Sequence, residues 1–301
     1  MLSRFLTSLS LCSLFVVAPL AAQDTVWPAV GGSFGLPFDS RAPAATRISS
    51  VQVRGSSWID GLNINYADRF GVLSQVTVIG SLAGQANTFN IPAFDYLVRI
   101  ELWYDAGLNA MRGITLQTHG GYRQDYGIQV GAFQAQQAPP YTEIIGLHGT
   151  FGSMMNSIGM TTRPVLARSQ TFGNGCAGNL GVPQIRYRQG AEHIRLNNWT
   201  TIVEVTNVPG QWAFLFIGFT ALPAGVPLAG AGAPGCTGYL TPDIVQLVGA
   251  DPNQTAGHTF FLPNTPSLIG AKLSFQGGVP STLNALGLAF SNAMTGMCGA
   301  I

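Results

Sequence analysis

An all-β chain of two domains is what this sequence predicts, on three observations. Apolar and polar residues alternate strictly in stretches between Val51 and Leu116 and again between Thr201 and Phe290, the period of a strand with one buried face. The 301 residues include 38 glycines and 18 prolines, the composition of a chain with many tight turns. No segment reads as an amphipathic helix of three turns, and the length favours two cores over one.

In chain order, Arg4, the apolar run Phe5 to Val17 and the small-residue stretch Ala18-Pro19-Leu20-Ala21-Ala22 have the layout of a secretory signal peptide. Residues 1–22 are therefore expected to be removed near Ala22 or Gln23. The run is too short to span a bilayer, and Leu11 before Cys12 argues against a lipoprotein. Strands follow at Val51-x-Val53, Leu62-x-Ile64-x-Tyr66, Val76-x-Val78, Val98-x-Ile100-x-Leu102-x-Tyr104 and Ile114-x-Leu116. Turns such as Asp105-Ala106-Gly107-Leu108-Asn109 separate them, with Gly able to supply positive φ. The composition changes near Met160. After a connector from Thr161 to Gln170, a second set of strands appears at Thr201-x-Val203-x-Val205, Trp212-x-Phe214-x-Phe216, Leu273-x-Phe275 and Leu286-x-Leu288-x-Phe290, with loops at Leu222 to Gly235 and Ala250 to Ala256.

Charge excludes whole classes of partner. Lys272 is the single lysine, and loss of Arg4 with the leader leaves 13 basic residues against 13 acidic ones. Capture of nucleic acid or of an anionic membrane needs clustered basic charge, so neither is expected; no later segment reaches membrane-spanning length without a charge, Pro or Gly break, so membrane insertion is not expected either. Cys12 leaves with the leader, and Cys176, Cys236 and Cys298 remain. An exported chain can oxidise one pair, the odd thiol then being free or intermolecular.

Five blocks in a fixed order carry a resemblance. Gly31-Gly32-Ser33-Phe34-Gly35-Leu36-Pro37-Phe38-Asp39 matches a Gly-Gly-x-Gly-Gly-x-x-Phe-Asp opening except at Phe34. Ile59-Asp60-Gly61-Leu62 with Ile64 and Tyr66, Asp95 through Tyr104, Met111 through His119, and Gly146 through Gly159 supply the other four. Residues 29–161 thus resemble a jacalin-type lectin domain, which implies a β-prism of three four-stranded antiparallel sheets. It also implies a shallow sugar pocket at one end of the prism. Gly35 would offer a backbone N–H, Leu108 and Asn109 would contact the sugar from a second loop, and Gly152, Ser153, Met154 and Asn156 would form a third, with backbone N–H donors at Ser153 and Met154. A short acceptor flanked by backbone donors suits the vicinal hydroxyls of a hexose.

The chain departs from that pattern where Asn156 stands in place of an acidic acceptor and Met154 in place of a frequent aromatic. A neutral amide contact is weaker than a charge-assisted one by about tenfold in affinity. Asn156→Asp is accordingly expected to raise affinity, and Gly35→Val to abolish binding.

The second half is similar to a secreted C-terminal β-sandwich module of environmental bacteria. Phe172-Gly173-Asn174-Gly175-Cys176-Ala177-Gly178, Pro234-Gly235-Cys236, Phe261-Leu262-Pro263-Asn264 and Asn284 through Ala293 carry that likeness. It implies an accessory domain over residues 170–301 and a bridge between Cys176 and Cys236, with Cys298 left over.

Enzyme signatures fail on context. Gly31-Gly32-Ser33-Phe34-Gly35 satisfies Gly-x-Ser-x-Gly, which needs a strand before it and a helix after it, yet Trp27-Pro28 precedes and Leu36-Pro37 follows. His119, His148, His193 and His258 lack zinc spacing, and His148 is expected to order its loop. Asp60, Asp95, Glu101 and Asp125 are read as solvated or turn-capping carboxylates, and Trp58, Trp103, Trp199 and Trp212 as core. No catalysis, metal or cofactor is expected. The function expected is a secreted lectin, extracellular or periplasmic, for a mannose-, glucose- or galactose-type glycan. The alternative is a structural or adhesive protein that keeps the prism as a scaffold with a dead pocket; a homo-oligomer is left open.

Overall fold

The computed structural model describes residues 23–188 and 193–301. The expected leader lies outside the described residues. Everything regular in them is β-strand apart from two single 3-10 turns, Ala229–Ala231 and Pro266–Leu268, so the all-β reading holds.

Three antiparallel sheets build the first half. The second sheet orders Leu73–Gly80, Ile59–Asp68, Thr46–Gly55 and Ala86–Asn90, and the third orders Arg123–Gly127, Ala110–Thr118, Leu97–Asp105 and Ala132–Gln137. Both have the four strands expected. In the first sheet, Leu36–Arg41 pairs Thr142–Phe151, which pairs Met155–Pro164, and the outer strand is split into Thr25–Val26 and Val30–Gly31. The split falls at Trp27-Pro28-Ala29 because Pro28 has no N–H to donate, which confines it to an edge. Alternation sends one residue in two inward, so Val51, Leu62, Ile64, Ile100, Leu102, Ile114, Leu116, Leu147 and Ile158 meet in one buried cluster. Each such side chain stabilises the fold by roughly 1.5–3 kcal/mol. Tyr66 lies among them, its hydroxyl donating to Ser40 O at 2.9 Å.

In the second half a five-stranded sheet orders Arg168–Phe172, Leu288–Met297, Lys272–Pro280, Trp212–Gly218 and Ile244–Gly249. A three-stranded sheet, Ile185–Tyr187, Asn198–Val205 and Ala256–Leu262, shares its core through Val203 and Val205 beside Leu215, Phe275 and Val279. Thr220–Pro227 and Thr237–Thr241 form a separate hairpin. The expected loop from Leu222 is thus a strand as far as Pro227; a register shift between Ala221 and Val226 accommodates Pro223 and Gly225. Cys176 and Cys236 are bridged across a sequence separation of 60, a closure worth about 4 kcal/mol in the chain-entropy model. Cys298 is a free, buried thiol.

The connector narrows to Val165–Ala167, because one strand runs to Pro164 and the next starts at Arg168. Those three residues are buried. Glu143 holds the junction: Oε1 accepts from Leu166 N at 2.7 Å and Oε2 meets Arg168 Nη2 at 2.8 Å, with both side chains 2% exposed. Val165 packs with Tyr96 from the first half and Met297 from the second.

Candidate functional site

The segments around Gly31–Gly35, Asp105–Asn109 and Gly152–Asn156 come from distant parts of the chain and meet at one end of the first half. What brings them together is glycine at the points of contact. A Cβ on Gly32 would collide with the Asn109 amide, and one on Gly35, whose φ is +99°, would meet Phe151 O and lie 2.9 Å from Asn156 Oδ1. A side chain at Gly35 would push backbone apart, and one at Gly32 would drive the Asn109 amide from its place beside Tyr104.

Local hydrogen bonds shape the second loop. Asp105 Oδ1 accepts from Gly107 N at 3.0 Å and Leu108 N at 3.1 Å, an Asx-type turn. Asp105 Oδ2 also lies 3.4 Å from Arg112 Nη1. Asn109 sits at φ +51°, and its Oδ1 accepts from Tyr104 OH at 2.6 Å. Leu108 is left at the tip, 59% exposed.

Asn156 ties the third loop to the other two. Its Nδ2 donates to Asn109 O at 2.6 Å, and its own carbonyl accepts from Gly32 N at 3.0 Å. Its Oδ1 is covered from solvent and has no hydrogen-bond partner, lying near Gly35 and Gly152. Gly152 N donates to Met154 O at 2.8 Å, while the N–H groups of Gly35, Ser153 and Met154 make no hydrogen bond among the described residues. Ser153 is exposed and Met154 half-buried. Gly35 and Gly152 thus lie beside one unsatisfied acceptor, three N–H groups on the same two loops are free, and the exposed Phe34 and Leu108 sit next to Gly35 and Asn109 in the chain.

The bond from Asn156 Nδ2 bears on the expected Asp substitution. A carboxylate cannot donate to Asn109 O, so the asparagine is a structural link between loops as well as an acceptor. Asn109 likewise has its side-chain oxygen engaged by Tyr104. Sequence reasoning missed Tyr104 and Asp105 as positioning residues; the Asp-x-Gly spacing was a readable turn signal, whereas nothing local marks Tyr104.

The other candidates are held in structural contacts. Glu101 pairs with Arg99 and Arg123, each at 2.8 Å, and Asp95 Oδ1 accepts from Tyr96 N and Gly120 N. Asp125 Oδ1 accepts from Thr115 Oγ1 at 2.5 Å, and burial raises the pKa of Asp60. His148 is half-buried, with burial lowering its pKa. Ser33 leads into the strand Leu36–Arg41. Trp58, Trp103 and Trp212 are not core: Trp58 lies under Arg112 at 4.4 Å, Trp103 against the exposed Phe133 at 5.1 Å, and Trp212 is 39% exposed. The side chain of Trp199 is not among those described. Among the described residues no three His, Cys, Asp or Glu side chains gather as a metal-binding group, and no helix is long and apolar enough to cross a membrane.

Residues 28–161 match the model of the jacalin-like lectin domain. That span, under half of the 301 residues, holds all three loops, the second and third sheets whole, and the first sheet except Thr25–Val26 and the end of Met155–Pro164. Among solved structures, this chain is similar to an agglutinin of Calystegia sepium, at 22% identity over 47% of this chain and 97% of that one, TM-score 0.42. It is also similar to wild-type Malaysian banana lectin, at 22% identity over 48% and 99%, TM-score 0.41. A third is AcmJRL, a mannose-binding jacalin-related lectin from Ananas comosus, at 19% identity over 48% and 98%, TM-score 0.38. No curated protein matches the chain.

Proposed function

We propose that the jacalin-like domain, residues 29–161, binds a hexose or short oligosaccharide between its three loops, without catalysis. One observation carries this reading: the unpartnered Oδ1 of Asn156 lies beside Gly35 and Gly152, on the same two loops as the free N–H groups of Gly35, Ser153 and Met154. An unsatisfied buried acceptor costs about 1–3 kcal/mol, and a sugar hydroxyl that enters as the Gly152–Met154 turn opens would donate to it while accepting from the backbone. The exposed Phe34 and Leu108 supply apolar contact to a pyranose face. A mannose-, glucose- or galactose-type sugar offers the hydroxyls this set needs. Residues 170–301 are read as an accessory domain of the secreted β-sandwich kind, and the buried disulfide suits export to an oxidising compartment.

A glycan array probed with the mature chain, followed by calorimetry with mannose, glucose and galactose, tests the proposal. Dose-dependent signal competed by free sugar, and lost in Gly35→Val, supports it. Silence at high protein concentration favours the scaffold reading, which has its own observation: Asn156 Oδ1 is covered while the loops are closed.

A further inference from the structure

A cavity lies where the two halves meet, away from the three loops and sharing no residue with them. It measures about 230 Å³ and is lined by Arg47, Arg69, Phe70, Phe94, Arg168 and Ser169 among others. Three guanidinium-bearing residues on one small cavity is an unusual concentration in a chain with only 14 basic residues.

Their partners do not match them in number. Arg168 is 2% exposed and satisfied by Glu143, Leu166 O and Asp95 O. Arg47 is 4% exposed, yet among the described residues its one side-chain hydrogen bond runs from Nη1 to Ile48 O at 3.2 Å. Among the described residues no carboxylate lies within ion-pair distance of Arg47 or Arg69, and the Arg69 side chain has no hydrogen bond there either. The nearest alternatives are engaged elsewhere. Asp68 Oδ1 accepts from Phe70 N and Val72 N, both at 2.9 Å, and Asp95 Oδ1 accepts from two backbone amides. Burial, then the charge of Arg168, lowers the pKa of Arg47 to about 10, the response of a cation short of negative charge.

An unpaired buried cation is costly. Guanidinium forks match the geometry of phosphate, sulfate and carboxylate oxygens, and an anion in the cavity would add charge-assisted bonds from Arg47 and Arg69 while leaving the Arg168–Glu143 pair intact. We propose that this cavity is an oxyanion site that bridges the two halves of the chain.

The test is thermal denaturation of the mature chain titrated with inorganic phosphate, inorganic sulfate, acetate and glucuronate, each against sodium chloride at matched ionic strength. Ligand that binds the folded state raises the midpoint in a saturable way. At least one oxyanion is expected to do so beyond chloride. A response to phosphate or sulfate alone identifies a free inorganic ion, and an equal response to acetate and glucuronate identifies a carboxylate that a sugar acid could bring. Arg69→Gln, at a half-exposed position, should raise the half-saturating concentration at least tenfold with its midpoint in chloride unchanged. Arg47→Met should be at least as stable as wild type in chloride and lose the oxyanion response. Midpoints that follow ionic strength alone, or variants that respond as wild type does, overturn the proposal.

Discussion

Replacing Asn156 by Asp exchanges an amide N–H for a carboxylate oxygen against Asn109 O, where the donor–acceptor distance is 2.6 Å. The lost bond is worth about 1 kcal/mol net, and a carbonyl left facing another acceptor adds about 1–3, so Asn156→Asp should cost about 2–4 kcal/mol at pH 7. The protonated acid can donate where the amide did, and this raises the folded-state pKa of the new carboxyl above its unfolded value near 4. For an acid shifted upward the penalty is full above the folded pKa and vanishes below the unfolded one. The deficit should therefore shrink as the pH falls from 7 to about 3. Urea denaturation of wild type and variant at both values, followed by tryptophan fluorescence, reads it directly. Hexose affinity should fall with the same change, because Asn109 no longer holds the second loop beside the third. A variant as stable as wild type at pH 7, or a deficit independent of pH, would refute the loop-linking role of Asn156.

Three further outcomes follow from buried groups. Arg168→Met leaves Glu143 without its cation at the junction and should destabilise the chain by about 3–5 kcal/mol, with Glu143→Gln in the same chain recovering part of it; denaturation midpoints of the two variants check this. His193 is 6% exposed and held at a pKa of about 4 by burial first and Arg69 second. The unfolded chain takes up that proton near pH 6.5 and the folded chain does not, so stability should drop by about 3 kcal/mol between pH 6.5 and 4, and His193→Gln should flatten the profile. Burial pushes the Cys298 thiol up to about 11, so native protein should resist alkylation, denatured unreduced protein should take up one label, and peptide mapping should recover Cys176 joined to Cys236.

Alternation of the kind seen in Leu62-x-Ile64-x-Tyr66 was enough to place strands and their buried faces, because side chains on a strand point to opposite sides by turns and the pattern is local. The ordered glycine blocks were legible for a similar reason: Gly32 and Gly35 are required wherever loops approach this closely. The split edge strand at Pro28 was not legible, because the pieces on either side are two residues each and carry no alternation. Composition misled at Leu222 to Pro227, where proline and glycine sit in a bulged edge strand, and at the connector, whose buried Val165–Ala167 looks like any apolar tripeptide. The amide of Asn156 reaches a carbonyl 47 residues away, and Arg47, Arg69 and Arg168 meet across more than a hundred residues of chain. Periodicity and turn chemistry act over a few residues, so the sequence by itself determined strands, turns and the family likeness. Partners that close a loop or crowd charges into one cavity are chosen by how separate sheets pack, and only the tertiary structure decided those.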